Sequence, residues 1–532
     1  MTERLRFLPA GSDAILVELA DLDTTLALFE RLAPAPVPGL LELVPAARTL
    51  MIRFDPLLTD RTRLIAMIGT LDLSHRTTRG GKSFDIPVTY DGVDLGSVAE
   101  LLGWSVAELI RRHTQATYEV AFTGFAPGFA YMSADDPDFD VPRHPTPRLR
   151  IPAGSVALAG KFGGIYPSES PGGWQLIGTT PLALWDLQRP RPALLAPGDR
   201  VHFRDMAKGA TVPAAALPAP PPQNPKPDQG LMVIRADRPA LFQDLGRPGR
   251  ADQGVARSGA LDRHSLIAAD LCVGNPGGVA ALEITFGGFA LRADRPVTLA
   301  VTGAPCPLTL RTAGGRTLPA PFGRPFALDA GDSVELGFPD RGMRSYLALR
   351  GGFALETALG SASTDTLAGL GPAPVIAGDH LVPAGNPASA VDPCRPAPPP
   401  LPKAGETVTL DIVLGPRTDW FTPEGIETLL TQDWKVTEQS SRIGARLAGA
   451  RPLERREQAE LASEGTPHGA IQVPPSGQPV LFLADHPLTG GYPVIGVVAA
   501  PHLDLAGQIP IGASIRFNPI AAFDPQVPET DR

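Results

Sequence analysis

Two neighbouring segments hold the densest set of side chains that could bind a small ligand. The first, YEVAFTGFAPGFAY at 118–131, is a predicted strand that ends in a loop of Gly, Pro and aromatic residues. Small residues would let a ligand approach the backbone, and Phe125, Phe129 and Tyr131 would supply apolar walls. A tightly packed barrel turn explains each aromatic equally well. The loop therefore predicts either a binding site or a packed turn.

The second segment, 143–180, combines cationic residues with hydroxyls and glycines. Arg148 and Lys161 are candidate binders of a phosphate or carboxylate, and Trp174 could pack on a ring. The backbone amides and hydroxyls that could bind an anion belong to Gly163, Gly164, Gly172, Gly173, Tyr166, Ser168 and Ser170. Ordinary packing or surface pairing explains any one of these residues, but their density favours an anion-binding site.

His113 is a candidate catalytic residue near the end of a predicted helix at 105–115, next to Arg111 and Arg112. Imidazole changes charge near neutral pH, so His113 could act as a general base or as a ligand to a substrate. A cap at the helix C-terminus is the alternative interpretation.

Several classes of enzyme are excluded by the motifs that the sequence lacks. Gly81-Lys82-Ser83 resembles the end of a phosphate-binding P-loop, but Arg76 stands where that motif needs Gly. The sequence contains no HExxH, no G-x-S-x-G elbow and no strand-GxGxxG-helix unit. These absences exclude zinc proteases, α/β-hydrolases and Rossmann dinucleotide-binding proteins.

Charge and composition point to a small-molecule or protein partner. The formal net charge of -9 gives no basic field for a nucleic-acid backbone. The sequence has neither a signal-peptide pattern at its start nor an apolar run of about 18 residues, so we expect a cytoplasmic protein that does not enter the membrane. Cys272, Cys306 and Cys394 are too widely spaced for a disulfide framework or a metal cluster, and we expect them to be reduced.

Short strands must position most of these side chains. With 56 Gly and 60 Pro among 532 residues, turns are frequent and long helices are disfavoured. Residues 1–80 predict a small α+β domain with helices around 24–33 and 59–70, and residues 81–206 predict a β-barrel. The Pro/Ala-rich stretch 207–230 predicts an extended linker. Residues 231–520 predict a second part of two barrel-like lobes, with 392–405 as a surface excursion and 521–532 as a tail.

Three similar phrases suggest an internal duplication. PGDRVHF at 197–203, AGDSVEL at 330–336 and IGASIRF at 511–517 each place a Gly turn before an alternating strand. Upstream of the first and third phrases, 151–167 and 473–493 each run from a Pro/Gly turn through an apolar strand to Gly-Gly and Tyr-Pro. A duplicated β-barrel module and chance recurrence in a β-rich protein explain the phrases equally well.

Longer phrases resemble a known family. GFAPGFAY, TPRLRIPAGSVALAG and SPGGWQLIGTTP resemble the B subunit of bacterial 5-oxoprolinase, the KipI or allophanate hydrolase subunit 1 family, over residues 1–205. LFQDLGRPGRADQGVARSGALD, VGNPGGVAALEITFGG, STDTLAG, LGPRTDWFTPEG, SSRIGARL, ASEGTPHGAIQVPPSG and LTGGYP resemble the companion C subunit, the KipA or allophanate hydrolase subunit 2 family, to about residue 518. The chain therefore resembles a fusion of the B and C subunits.

The resemblance implies a fold and an activity. The fold would be mainly β with α+β elements, in which a small N-terminal α+β domain precedes cyclophilin-like β-barrels in both halves. The activity would be that of an ATP-dependent hydrolase component, which uses Mg²⁺ and phosphorylates the amide of 5-oxoproline so that the ring can open to glutamate. A separate A subunit of the LamB/YcsF type would complete the hydrolysis. The chain has no Ala-Met-Lys-Met biotin-attachment phrase, so no biotin is expected on this chain. Whether the chain forms a homo-oligomer stays open.

The resemblance also suggests site residues, and it adds support for His113, since related B subunits carry His there. Glu464 and Asp485 are predicted as Mg²⁺ ligands or general base, because phosphoryl transfer needs a divalent cation with hard oxygen ligands. The residues predicted to bind substrate or ATP are Phe125, Phe129, Arg148, Tyr166, Trp174, Arg247, Asp262, Asn275, Glu283, Arg442, Gln472, Thr489 and Tyr492.

One stretch departs from the family, and two other functions stay open. Where related C subunits usually have a polar phrase before TGGYP, this chain has His486-Pro487-Leu488. A carboxyltransferase partner in a biotin-dependent urea or amide carboxylase system would be built from the same two modules. A non-enzymatic histidine-kinase regulator of the KipI/KipA type would also carry them, although fusing an inhibitor to its antagonist would make a poor switch.

Overall fold

The computed structural model describes residues 5–33, 37–76, 81–144, 146, 148–208, 230–391 and 400–527. Most of the predicted linker, most of the 392–405 excursion, Cys394 and the end of the predicted tail lie outside these ranges. Among the described helices, none is both long and apolar enough to cross a membrane.

The N-terminal domain is a four-stranded antiparallel sheet that is buried on both faces. Its strand order is β1-β2-β4-β3, and successive side chains point to opposite faces. Ile15 and Ile52 pack with the two helices, whereas Leu16 and Met51 pack against the second half of the chain. The elements are β1 (Arg6–Pro9), β2 (Ala14–Glu18), α1 (Leu22–Leu32), β3 (Leu40–Pro45), β4 (Thr49–Phe54) and α2 (Arg61–Gly69).

The rest of the first half is a nearly closed barrel. Its seven strands follow the order β12-β9-β10-β7-β6-β13-β5, and a bridge between Thr89 and Thr179 brings the two end strands together. The elements are β5 (Ser83–Val88), α3 (Leu95–Leu101), α4 (Val106–Gln115), β6 (Tyr118–Thr123), β7 (Ala130–Ala134), β8 (Arg148–Ile151), β9 (Ser155–Ala159), β10 (Phe162–Ile165), β11 (Ser170–Gly172), β12 (Gln175–Thr179) and β13 (Arg200–Asp205).

The second half begins with two stacked sheets. Their orders are β20-β19-β22-β17-β14-β24 and β15-β16-β23-β18-β21, and side chains from both sheets share one core. This lobe therefore differs from the barrel predicted for it. The elements are β14 (Leu231–Ala236), β15 (Ala240–Gln243), α5 (Arg263–Cys272), β16 (Ala281–Thr285), β17 (Phe289–Ala293), β18 (Val297–Gly303), β19 (Leu308–Arg311), β20 (Thr317–Pro319), β21 (Phe326–Leu328), β22 (Ser333–Leu336), β23 (Arg344–Leu349) and β24 (His380–Leu381).

The chain ends in a closed barrel around Trp434, Ile471 and Phe517. Its strand order is β25-β32-β29-β30-β27-β26-β33, and β33 returns to β25. The predicted mainly β fold with a barrel in each half is confirmed. The elements are β25 (Thr407–Leu414), α6 (Pro423–Thr431), β26 (Trp434–Val436), β27 (Gly444–Ala448), β28 (Glu464–Gly465), β29 (Ala470–Gln472), β30 (Val480–Phe482), β31 (Thr489–Gly490), β32 (Val494–Val498), α7 (Leu503–Ala506) and β33 (Ser514–Ala521).

The two barrels have the same cyclic strand order. In each barrel the last strand pairs in parallel with the first, β13 with β5 and β33 with β25. Each barrel also carries a two-stranded sheet in equivalent loops, β8 with β11 and β28 with β31. The shared order favours a duplicated module over chance recurrence. By strand order, the Gly-Gly pair 172–173 of the first barrel is equivalent to the Gly-Gly pair 490–491 of the second. The sequence phrases had suggested the pair 163–164 instead.

Side chains fix where five of the described helices begin. Each N-cap oxygen accepts a hydrogen bond from a backbone N–H in the first turn, which satisfies a group that the helix itself leaves unpaired. These caps are Asp21, Asp60, Ser105, Asp262 and Thr422.

Replacing Asp270 on α5 by Asn should make stability less dependent on pH. Burial raises the pKa of the Asp270 carboxyl to about 7, although the Gly278 N–H donates to it at 2.9 Å. The folded state therefore keeps a proton that the unfolded state loses near pH 4, so wild-type stability falls as pH rises from about 4 to 7. Between pH 5 and pH 8, the free energy of unfolding measured in urea should fall by about 2–3 kcal/mol less in Asp270→Asn than in the wild type. Equal losses in the two proteins would contradict a buried, protonated Asp270.

Candidate functional site

The segment that joins β30 to β32 is the centre of the candidate site. Asp485 enters a buried ion network of the second half. Thr489 reaches the first barrel, where its hydroxyl accepts a hydrogen bond from the Phe125 N–H at 3.2 Å. Gly490 pairs with Glu464 in the two-stranded sheet. This segment, 485–492, is called the hub loop below.

Asp485 anchors the hub loop with both carboxylate oxygens. Arg442 donates to them at 3.0 and 3.1 Å, the Ser258 hydroxyl at 2.6 Å, and the Thr366 N–H and hydroxyl at 2.9 and 2.8 Å. Burial by itself would raise the pKa of Asp485, but Arg442 and these hydrogen bonds outweigh it and hold the pKa below its usual value. Asp485 is therefore an ionised, fully bonded carboxylate and not a free base.

Arg442 also joins the hub loop to the two-sheet lobe, because its other donors reach Glu283 and the carbonyl of Gly259. Glu283 in turn accepts from the Tyr346 hydroxyl at 2.8 Å and from the Leu261 N–H at 3.1 Å. The predicted residues Glu283 and Arg442 thus lie in one buried network, where each neutralises the other's charge.

Three other predicted residues of the second half are buried and bonded to the chain itself. Arg247 donates to the carbonyl of Ala358 at 3.3 Å. Asp262 caps α5 by accepting from the N–H of Ser265 at 2.9 Å. Asn275 bonds two backbone groups at the end of β23, both at 2.9 Å. These side chains position backbone segments, and the structure gives no support to direct ligand binding by them.

Glu464 belongs to a second ion cluster. Arg417 donates through Nε to its two oxygens at 3.0 and 3.1 Å, and through Nη1 to Glu18 of β2 at 2.9 Å. Burial alone would lower the pKa of Arg417, but the two carboxylates raise it above its usual value. The cluster ties the N-terminal domain to the C-terminal barrel.

The predicted Mg²⁺ site does not fit these surroundings. Mg²⁺ prefers several oxygen ligands in octahedral geometry, whereas Glu464 and Asp485 are each engaged by an arginine and belong to separate clusters. Within the described ranges, no three His, Cys, Asp or Glu side chains gather in a way that could hold a metal ion. Glu464 and Asp485 act here as partners of guanidinium groups.

The loop 124–129 docks on the second half. Phe125 has a φ of 66°, a left-handed conformation that is rare for a side chain of this size. The Gly128 N–H donates to the carbonyl of Gln253 at 2.9 Å, and the Thr123 hydroxyl donates to the carbonyl of Ala251 at the same distance. At Gly254 a Cβ would collide with the carbonyl of the loop. Close contact across the seam therefore explains Gly254, which faces the carbonyl of Ala126, and Gly124, which faces the Thr489 side chain.

The predicted aromatic wall is mostly packed on itself. Phe129 contacts Tyr166 and Trp174 edge to face, each with ring centroids 5.3 Å apart. All three are buried, which matches a packed turn rather than an open pocket. Phe125 is half-buried at the seam, with its ring 6.1 Å from that of Tyr166.

Arg148 has a structural partner. It donates to Asp94 at 2.7 Å, and the second oxygen of Asp94 accepts from the Leu176 N–H at 2.7 Å. This half-buried ion pair ties β8 to the start of α3 and to β12.

Lys161 does not join the anion site predicted for it. It is exposed on the turn between β9 and β10, and the next residue, Phe162, pairs with Ser133 of β7. Gly163 and Gly164 lie inside the β9–β10 ladder. Their amides are strand groups and not an exposed anion cradle.

His113 is a core residue. It is fully buried, its Nδ1 lies 2.8 Å from the Tyr90 hydroxyl, and its ring stacks on Phe203 at 4.3 Å. Burial lowers the pKa of His113 to about 3, so the ring is neutral at physiological pH. The structure gives it the surroundings of a packing residue and not those of a general base that faces a substrate.

Three predicted residues do come together beside the seam. Gln472 donates through Nε2 to the carbonyl of Tyr492 at 3.3 Å, and Thr489 lies in the same hub loop. The ring of Tyr492 is exposed. Gln472 and Thr489 are buried, so only Tyr492 and the half-buried Phe125 present part of the predicted site to solvent.

Sequence profiles cover both halves of the chain. The profile "Carboxyltransferase domain, subdomain C and D" matches residues 5–195, and "Carboxyltransferase domain, subdomain A and B" matches residues 253–519. The chain belongs to the carboxyltransferase-domain family.

Within this family, the two halves match differently named relatives. The C subunit of the 5-oxoprolinase of Escherichia coli K12 is 34% identical over 54% of this chain and 90% of that protein. The B subunit from Escherichia coli O157:H7 is 44% identical over 24% of this chain and 59% of that protein. The urea amidolyase of Lachancea kluyveri is 31% identical over 52% of this chain, a stretch that spans only 16% of that enzyme.

A solved structure covers both halves at once. The crystal structure of TTHA0988 superposes with a TM-score of 0.81 at 34% identity, over 95% of this chain and 99% of that one. The arrangement of the two halves in a single chain is therefore shared with that protein.

The sequence analysis did not identify Ser258, Thr366 and Arg417, which complete the two ion clusters. A signal was present, because they lie in the phrases ARSGALD, STDTLAG and LGPRTDW that carried the resemblance. Their partners could not be read from the phrases, since each bond joins segments that are distant in sequence.

Replacing Arg442 by Met should destabilise the protein by about 3–5 kcal/mol, because it leaves the buried carboxylate of Asp485 without its cation and leaves Glu283 only the guanidinium of Arg344, 3.6 Å away. Urea unfolding at pH 7 measures the loss. The matched control is Arg516→Met, which breaks an exposed pair with Asp433 and should cost no more than about 1 kcal/mol. Similar small losses in both variants would show that the network does not stabilise the fold.

Proposed function

We propose that this chain is the combined B and C component of an ATP-dependent 5-oxoprolinase. The observation that carries the proposal is that its halves match the B and C subunits separately and meet through the loop 124–129 and the hub loop. A single chain then supplies both small subunits in docked form. We expect it to act in the cytoplasm, without nucleic acid, on a small cyclic amide.

The chemistry explains why ATP is needed. The ring amide is resonance-stabilised, so the γ-phosphoryl group moves from ATP to the amide oxygen, the bond to ADP breaks, and the ring carbon becomes electrophilic. Water adds to that carbon, the C–N bond breaks with a proton passing to nitrogen, and an acyl phosphate forms. A second water releases phosphate and leaves glutamate. In this proposal the present chain carries out the phosphorylation, and the LamB/YcsF-type partner protein directs water. Mg²⁺ would enter with the nucleotide.

A second function has a specific observation in its favour. The match to urea amidolyase, together with a 29% match to a putative urea carboxylase of Emericella nidulans, favours transfer of a carboxyl group from biotin to urea or another amide. Biotin would then arrive on another protein. No observation on the described residues favours a role as a histidine-kinase regulator, so that role stays a prediction.

The purified chain should release no glutamate from 5-oxoproline and ATP by itself, and should do so when the LamB/YcsF-type protein is added. The measurement is glutamate, ADP and phosphate release with each protein alone and with both. Equal amounts of the three products are expected from the mixture.

Two controls separate the alternatives. Glutamate release by the chain alone would contradict the division of labour between the two proteins. Carboxylation of urea with a carboxylated biotin carrier, together with no glutamate from the mixture, would replace the oxoprolinase by the carboxyltransferase.

A further inference from the structure

Arg143 is a cation of the first half that lies against the hub loop of the second half. A Cβ at Gly491 would be 3.2 Å from Arg143 Nη1 and 3.4 Å from the carbonyl oxygen of Leu461, which is tighter than ordinary van der Waals contact at the guanidinium. A side chain at position 491 would therefore push Arg143 away. Because Gly491 has none, the guanidinium lies directly over the backbone of the hub loop.

The backbone of Arg143 is fixed on both sides. The carbonyl of Pro142 accepts from Gln175 Nε2 at 3.1 Å, and the His144 N–H donates to the carbonyl of Gly173 at 2.7 Å. These bonds tie the residues before and after Arg143 to the start of β12 and to the loop that precedes it. The side chain thus projects from a fixed position, which reduces the entropy that is lost when a ligand binds.

Most of the Arg143 guanidinium is available to a ligand. Its Nε lies 3.1 Å from Glu460, whereas neither Nη1 nor Nη2 has a hydrogen bond to a described residue. The side chains of Arg143 and Glu460 are 35% and 64% exposed. An ion pair this exposed contributes at most about 1 kcal/mol, so an incoming anion can compete with Glu460.

Two backbone donors lie beside this cation. The N–H groups of Gly491 and Tyr492 make no hydrogen bond to any described residue, and both residues reach solvent. The N–H groups of successive residues can bind an anion, and a guanidinium adds charge-assisted hydrogen bonds to the same oxygens.

An aromatic side chain lies along the same stretch of the hub loop. Thr489, two residues before Gly491, accepts from the Phe125 N–H at 3.2 Å. Two residues of an extended chain span about 6–7 Å, so Phe125 and Arg143 meet the hub loop at points that are roughly one small ring apart. Phe125 is half-buried and keeps part of its surface accessible.

We infer that Arg143 and the N–H groups of Gly491 and Tyr492 bind the carboxylate of a small cyclic substrate, whose ring lies toward Phe125. Arg143 donates to the carboxylate oxygens through Nη1 and Nη2, in competition with Glu460. The guanidinium comes from the first half and the N–H groups from the second, so the site is complete only when the halves are docked. 5-Oxoproline carries a carboxylate on a small ring, and to that extent the inference rests on the proposed function.

Calorimetric titration of the full chain with 5-oxo-L-proline tests the site. Arg143→Gln should weaken binding at least about tenfold, because charge-assisted hydrogen bonds are lost. Glu460→Gln should tighten binding about two- to fivefold, because it removes the competing carboxylate. Arg204→Gln, which breaks an exposed ion pair with Asp85 in the same half, is the matched control and should leave binding unchanged. Melting curves check that each variant folds.

The opposite effects expected of the two variants separate ligand binding from a structural role. If Arg143 and Glu460 only join the two halves, either substitution removes the same ion pair, and both variants should change melting and binding alike. Equal binding by wild type and Arg143→Gln, or equal weakening in Arg143→Gln and Glu460→Gln, would therefore overturn the inference.

Two other ligands test the site without any mutation. 2-Pyrrolidinone has the ring but not the carboxylate, and it should not bind measurably. Inorganic phosphate tests the other common source of an anion. Binding of phosphate without binding of 5-oxo-L-proline, or binding of 2-pyrrolidinone as tight as that of 5-oxo-L-proline, would overturn the assignment to a substrate carboxylate.

Kinetics with the LamB/YcsF-type protein present separates failure of the site from failure of the proposed function. Turnover of 5-oxo-L-proline with a KM that rises in Arg143→Gln would support both. Turnover with an unchanged KM in that variant would overturn the inference while the proposed function stands. Weakened binding by Arg143→Gln in a chain that never supports turnover would overturn the function and leave the site.

Discussion

The position of the hub loop depends on one buried cation. Arg442 lies between Asp485 and Glu283, and all three are almost inaccessible to solvent. A charge buried without its partner costs several kcal/mol, so the three side chains hold each other in place. Because Asp485 is fixed, the next residues are fixed too. Thr489 then lies where its hydroxyl accepts a hydrogen bond from the Phe125 N–H.

The two barrels share one framework but meet through loops that are not equivalent, because the loop 124–129 joins β6 to β7 whereas the hub loop joins β30 to β32. The loop that carries Tyr166 and Trp174 in the first barrel is equivalent by strand order to the hub loop of the second. In the first barrel this loop is filled by aromatic packing, and in the second by ions and imidazoles. The same framework has therefore diverged into a packed support and a polar site.

The sequence predicted the fold better than the site. Alternating short strands and the family phrases indicated a barrel in each half, because strand periodicity is a local property. Thr489 and Phe125 were predicted separately and do meet. Lys161 was misplaced, because its neighbouring glycines belong to a strand ladder rather than a loop. The pairing of Arg442 with Glu283 spans 159 positions, and no local pattern indicates which charges pair over such a distance.

The contacts between the halves also explain why joining them is advantageous. The N-terminal sheet has two apolar faces, and the second half covers one of them. Glu18 completes the ion cluster of Arg417 and Glu464. Separate chains would have to find each other before these groups were paired, whereas a covalent link raises the effective concentration of one half at the other. Since residues from both halves form this ion cluster, its geometry depends on their docking. The fusion thus makes assembly of the site part of folding.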